Sequence, residues 1–121
     1  MRALLALAFL LPAPALAQDA PQRVEVRLSS FDFTPSTIHL TAGRQVTLHL
    51  VNGGDGGHNF SAPEFFAAAQ SVSGPVERGH VEVAGNQSAD ITLTPTRGTY
   101  RLRCTHALHT AFGMTGEIVV E

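Results

Sequence analysis

The sequence predicts an all-β protein, a Greek-key β-sandwich of about seven to eight strands with one short helix. Three observations carry this reading. Short segments of period-two alternation recur along the chain, each is bounded by Gly, Pro, Asn or Asp, and helical periodicity is nearly absent. Its 121 residues suffice for one domain and not comfortably for two.

The first stretch stands outside that fold. Arg2 gives an early positive charge, Ala3 to Leu11 is an unbroken apolar run, and Pro12 and Pro14 break any helix. Ala15-Leu16-Ala17 then supplies a small-x-small pattern, so residues 1–17 read as a secretory signal peptide cut before Gln18. The run falls short of the roughly 20 residues that span a bilayer, and no stable membrane insertion is expected. In a Gram-negative host the product is periplasmic. Residues 18–22 form a flexible lead, and 23–121 the domain.

The strands follow in order. Val24, Val26 and Leu28 alternate with Glu25 and Arg27, and Ile38 and Leu40 flank His39. After a turn at Ala42-Gly43-Arg44, Val46, Leu48 and Leu50 alternate with Thr47 and His49. Val81 and Val83, then Ile91 and Leu93, then Tyr100, Leu102 and Cys104 continue the pattern, and a β-branched run from Gly116 closes the chain. Such alternation puts one face on a core and the other in water. One piece departs from it. Pro63 to Gln70 has the proline start, acidic residue and alanines of a short helix. Helices this short are marginal without packing, so the preferred reading is a connecting turn whose Phe65 and Phe66 plug one edge of the sandwich.

Composition excludes some partners. No lysine occurs, the eight positive charges are all arginine, and the formal charge of −2 becomes one unit more negative if Arg2 is removed. A nucleic-acid binder would show a basic patch or stripe, and none is present. The single cysteine, Cys104, is unusual for an exported protein, where structural cysteines come in pairs. Burial as a small hydrophobe, an intermolecular disulfide and a metal all remain open at this point.

The segment Cys104 to Met114 narrows the choice. It places a thiolate, an imidazole at His109 and a thioether on one loop, at spacings Cys-x4-His-x4-Met. Cys104 shares strand parity with Tyr100 and Leu102, so its sulfur points toward the core side. Far upstream, the glycines of Asn52 to Gly57 permit unusual backbone angles where a strand ends, and deliver His58 at a loop tip. Two imidazoles, a thiolate and a thioether are the donors of a trigonal His2Cys site with a weak axial Met, the arrangement of blue copper electron-transfer centres.

These residues resemble those of the cupredoxins, the plastocyanin- and auracyanin-like blue copper proteins. The likeness runs through Phe31 to Ile38 with Ala42-Gly43, Gly57-His58-Asn59-Phe60, Gly98 to Cys104, and Gly113 to Gly116. It implies one copper ion, cycling between Cu(I) and Cu(II), with His58, Cys104 and His109 equatorial and Met114 axial. It also implies that Asn59 ties the two ligand loops together by hydrogen bonds. Where many relatives have Pro or Gly between the Cys and the second His, this chain has Thr-His-Ala-Leu. The additional imidazole, His106, is expected to face solvent.

Other polar residues read as surface. His39 and His49 fall on the wet face of their strands, His80 has no assigned role, and no carboxylate pair suggests acid–base catalysis. Enzyme activity is not expected: there is no series of His-x-His pairs for a trinuclear copper cluster, and no second cysteine for a binuclear centre. The expected function is a monomeric one-electron carrier that docks redox partner proteins around His109, through Ala107, Leu108, Ala111 and Phe112. The alternatives are a copper carrier or copper-resistance binding protein, and a metal-free structural sandwich.

Overall fold

A computed structural model describes residues 3–11, 21–106 and 112–121. Ten strands occur among the described residues. They are β1 (Gln22–Ser29), β2 (Asp32–Thr34), β3 (Thr37–Leu40), β4 (Val46–Asn52), β5 (His58–Ser61), β6 (Gln70–Ser73), β7 (His80–Val83), β8 (Ser88–Thr94), β9 (Gly98–Arg103) and β10 (Thr115–Val120). They form two five-stranded sheets, ordered β2-β1-β4-β8-β6 and β3-β10-β9-β5-β7. Each of the seven alternating segments becomes a strand, and the short β2, β5 and β6 add to them. β1 starts at Gln22, one residue earlier than expected, because Gln22 pairs with Val46 and its N–H reaches the Gln45 carbonyl at 3.0 Å.

The core lies between the sheets and is built from the inward half of each alternation. Val26, Leu28, Leu48, Leu50, Ile91 and Leu93 come from the first sheet, and Ile38, Phe60, Val81, Leu102 and Ile118 from the second, all essentially inaccessible to water. Register aligns them in rows: Val24 lies beside Leu48, which faces Ile91. The outward residues pair among themselves. Thr47 and Thr92 hydroxyls are 2.9 Å apart, and His49 Nδ1 sits 2.6 Å from Asp90 Oδ1. His39 is exposed and His49 half-buried, both on the outer face as expected.

Pro63–Ala68 is a helix, α1, and the preference for a plain turn is corrected. It has no side-chain cap, and Pro63 sits in its first turn. Packing supplies what an isolated helix of this length lacks. Phe65 and Phe66 are buried, with ring centroids 5.3 Å apart, and Phe65 lies 5.5 Å from Tyr100. The expected plug is therefore present.

Two connections place the functional end. β9 and β10 form a hairpin whose last register pair is Arg103 with Thr115, so residues 104–114 leave and return at a fixed point. On the other flank of β9, Ser61 of β5 also faces Arg103. β5 and the start of the segment after β9 are thereby neighbours, although some 45 residues separate them in sequence.

Candidate metal centre

The His58 side begins with Asn52, buried at the end of β4. Its Nδ2 donates to the Gly56 carbonyl at 2.8 Å and the Val83 carbonyl at 2.9 Å, while its Oδ1 accepts the Gly54 N–H at 3.0 Å. The amide thus folds the glycine loop onto itself and onto β7, and its own buried donor and acceptor are satisfied in doing so. Gly85 completes the seat: a Cβ there would stand 2.0 Å from the Asp55 carbonyl oxygen, so only glycine allows the approach. The loop hands over to His58, which is the first residue of β5 rather than a loop tip. Pairing with Val83 draws it into the sheet, and it is 6% exposed.

Cys104 follows the last residue of β9. Its parity with Leu102 turns the thiol inward as the alternation implied, and both are fully buried. Cys104 is not in a disulfide. Its backbone N–H donates to the Met114 carbonyl at 3.1 Å, which brings the two ends of the loop together, and Met114 is itself fully buried. The Asn59 backbone N–H points at Cys104 Sγ, at 3.4 Å. The residue after His58 is therefore in contact with the cysteine sulfur.

Asn59 closes the arrangement with its side chain. Oδ1 accepts the Thr105 N–H at 2.8 Å, and Nδ2 donates to Thr105 Oγ1 at 2.7 Å and to Glu82 Oε1 at 2.9 Å. The second Glu82 oxygen, Oε2, accepts from His106 Nε2 at 3.0 Å. Partial burial raises the Glu82 pKa, but the hydrogen bonds from Asn59 and His106 and the electrostatic influence of the nearby His106 and His80 rings outweigh it. The carboxyl is held below the ordinary glutamate range. His106 faces outward but is paired, and its side chain keeps only about a third of its exposure. His80, at the start of β7, bonds Ser61 Oγ through Nδ1 at 2.6 Å.

Of the four expected ligands, the structure brings the backbone positions of His58, Cys104 and Met114 to one end of the sandwich. His109 lies outside the described residues, as do Ala107, Leu108 and Ala111. Among the described residues no three His, Cys, Asp or Glu side chains form a metal-holding group. His58 and Cys104 are the two such donors here, and Met114 adds a thioether. A buried, unbridged thiol with a backbone N–H aimed at its sulfur, a buried imidazole and a buried thioether fit a copper ion by donor chemistry. Glu82 and Thr105 were not legible as parts of this site. The only signal for Glu82 is its outward parity between Val81 and Val83, which says nothing of the strand it meets.

The profile of the cupredoxin-like domain family matches residues 1–120. The chain belongs to this family. No curated protein sequence matches it significantly. Among solved structures it is similar to auracyanin B, at 26% identity and a TM-score of 0.64, over 84% of this chain and 91% of that one. Auracyanin A, a "blue" copper protein from Chloroflexus aurantiacus, is 19% identical with a TM-score of 0.61, over 84% and 100% of the two chains. A multicopper oxidase from Aquifex aeolicus is 17% identical with a TM-score of 0.66, but only 31% of that protein is covered. This cupredoxin is thus alike in fold to small blue copper proteins along nearly their whole length. Family and fold together support a copper electron carrier in general.

Proposed function

We propose that this cupredoxin is an exported type 1 copper protein that passes single electrons between partner proteins. His58, Cys104 and His109 would be the equatorial ligands and Met114 the axial one. The observation that carries the reading is the buried Cys104 sulfur. It is not in a disulfide, it receives the Asn59 N–H, and it is tied to Met114 through the backbone. Bound there, copper supplies a one-electron couple between Cu(I) and Cu(II).

The chain's own part is to restrain. The hairpin ends fix Cys104 and Met114, and Asn52 fixes the loop before His58, so the donors have little freedom to follow a change of oxidation state. Burial of His58, Cys104 and Met114 keeps water from the sulfur. At the surface, Phe112 is 67% exposed and meets Phe31, another exposed ring, in a tilted contact with centroids 5.2 Å apart, and this pair supports an apolar docking face there. Replacing Phe112 with Glu is expected to slow reduction by the physiological partner about tenfold or more, with the copper spectrum unchanged. An unchanged rate would remove Phe112 from the docking face.

Export to the periplasm is supported by the first residues. Leu4, Leu5, Leu7, Phe9, Leu10 and Leu11 are all more than 70% exposed and lie outside every strand and helix, so they add nothing to the core. No helix among the described residues is long and apolar enough to cross a membrane. The cleavage pattern at Ala15 to Ala17 lies outside the described residues.

The decisive experiment is the absorption and EPR spectrum of the Cu(II)-loaded protein. An intense thiolate-to-copper band, lost in Cys104→Ser, is the expected result. A pale spectrum of nitrogen and oxygen ligation would overturn the assignment of Cys104. Reversible voltammetry then separates an electron shuttle from a copper carrier, which would instead give up Cu(I) readily to a chelator.

A further inference from the structure

We infer that Glu82 is a positioning residue of the copper site, a single carboxylate that clamps the His58 strand to the start of the Cys104 loop. The inference rests on the copper reading above. Glu82 lies on β7 in register with Asn59 of β5, and its neighbours Val81 and Val83 both turn into the core. Parity therefore sends Glu82 to the opposite face, on the side where Thr105 and His106 leave β9. Its two oxygens engage two different elements: Oε1 takes Asn59 Nδ2 at 2.9 Å, and Oε2 takes His106 Nε2 at 3.0 Å.

The two bonds are unequal in weight. The His106 contact is made by a Glu82 side chain that keeps about two-thirds of its exposure, and such surface contacts contribute little. The Asn59 contact is part-buried and charge-assisted, which makes it the stronger of the two. It also fixes which way the Asn59 amide faces. A carboxylate can only accept, so Nδ2 must turn toward Glu82 and Thr105 Oγ1, leaving Oδ1 for the Thr105 N–H. The reversed amide would set oxygen against oxygen at Glu82 and N–H against N–H at Thr105. The carboxylate thereby reinforces, from the Glu82 side, the amide orientation that the Thr105 N–H also requires, and so supports the link between Asn59 and Thr105, the residue that follows Cys104. The same Asn59 directs its backbone N–H to Sγ, and hydrogen bonds around a ligating sulfur tune the potential of such centres. A sequence-distant carboxylate that orients such a partner belongs to the support of the site as much as the partner does.

The test compares wild type, Glu82→Ala and Glu82→Gln. Gln keeps a carbonyl oxygen for Asn59 but replaces the charge and the oxygen facing His106 with a neutral NH2, whereas Ala removes both oxygens. In the copper-free protein, hydrogen exchange at the Thr105 amide is expected to speed up roughly tenfold in the Ala variant and to return most of the way in the Gln variant. In the copper-loaded protein, the Ala variant is expected to bind Cu(II) about tenfold more weakly and to change the EPR hyperfine pattern, with Gln restoring both. Equal behaviour of Ala and Gln would reduce Glu82 to a surface charge and overturn the inference, as would readouts indistinguishable from wild type. Absence of the thiolate band in wild type would overturn the copper reading itself. The exchange comparison in the copper-free protein would still decide the clamp.

Discussion

β5 and β6 are both four residues long, and neither shows the alternation that marks a half-buried strand. β5 (HNFS) is buried at every position, while β6 (QSVS) is exposed at every position. β5 sits inside its sheet between β9 and β7. The core covers one of its faces, and the 104–106 segment, Glu82 and His80 cover the other. β6 lies at the edge of its sheet. It meets β8 through a register shift between Gln70 and Ser73, and Ser71 takes a left-handed φ of 54°. Loss of alternation therefore has two opposite causes, cover on both sides and cover on neither. In this protein the doubly covered strand carries the candidate site, while the uncovered one closes an edge with a mostly polar sequence and an irregularity that discourages further pairing.

The largest test of that contrast is the removal of one side chain from each strand. Phe60 is fully buried, with edge contacts to Phe33 and Phe66 at 6.0 Å, and Phe60→Ala should cost about 3–5 kcal/mol. Val72 of β6 is 38% exposed, and Val72→Ala should stay within roughly 0.5 kcal/mol. Urea unfolding of the copper-free proteins reads both, and comparable losses would break the comparison.

A middle-sized effect is expected from Asn59→Ala. It leaves the Thr105 N–H and one Glu82 oxygen without the Asn59 amide, at a cost of about 1–3 kcal/mol by the same unfolding measurement. Gln70→Ala on β6, an exposed residue, should be near neutral. A neutral Asn59→Ala would mean that the outer cover of β5 contributes packing but no polar stabilisation.

The smallest effect is electrostatic. A carboxyl whose pKa is lower in the folded than in the unfolded chain binds protons more readily when unfolded. The Glu82 contribution is then fully present above the ordinary value of 4.5 and is lost as the pH falls through the lower folded value. Glu82→Gln should therefore be slightly less stable than wild type near neutrality, with the gap closing in acid. The large exposure of the side chain keeps that gap small. A gap that widened in acid would reverse the sign of the assigned shift.

Much of this was legible in the residues alone. Period-two alternation located seven strands because the pleat imposes it wherever one face is dry, and Val46 to Leu50 or Ile91 to Leu93 can satisfy it in no other common structure. Cys104, His109 and Met114 stand out as candidate ligands by donor chemistry and by spacing along one loop, and His58 by the glycine-rich segment before it. The positive-φ turn at Ser30-Phe31, by contrast, was not foreseen, because neither residue is a usual choice for it. The short strand β5 also escaped, since its two-sided cover erases the period that would have revealed it.

The sequence by itself determined the fold class and the inward parity of Cys104, because each follows from local geometry or from the chemistry of a single side chain. Only the tertiary structure decided that β5 lies between β9 and β7. That placement sets Asn59 against Cys104 and Thr105, and brings Glu82 to Asn59 and His106. The physical reason is that strand order within a sheet depends on how whole faces of apolar surface are buried together. No local pattern around Glu82 or Asn59 encodes which distant strand will lie beside it.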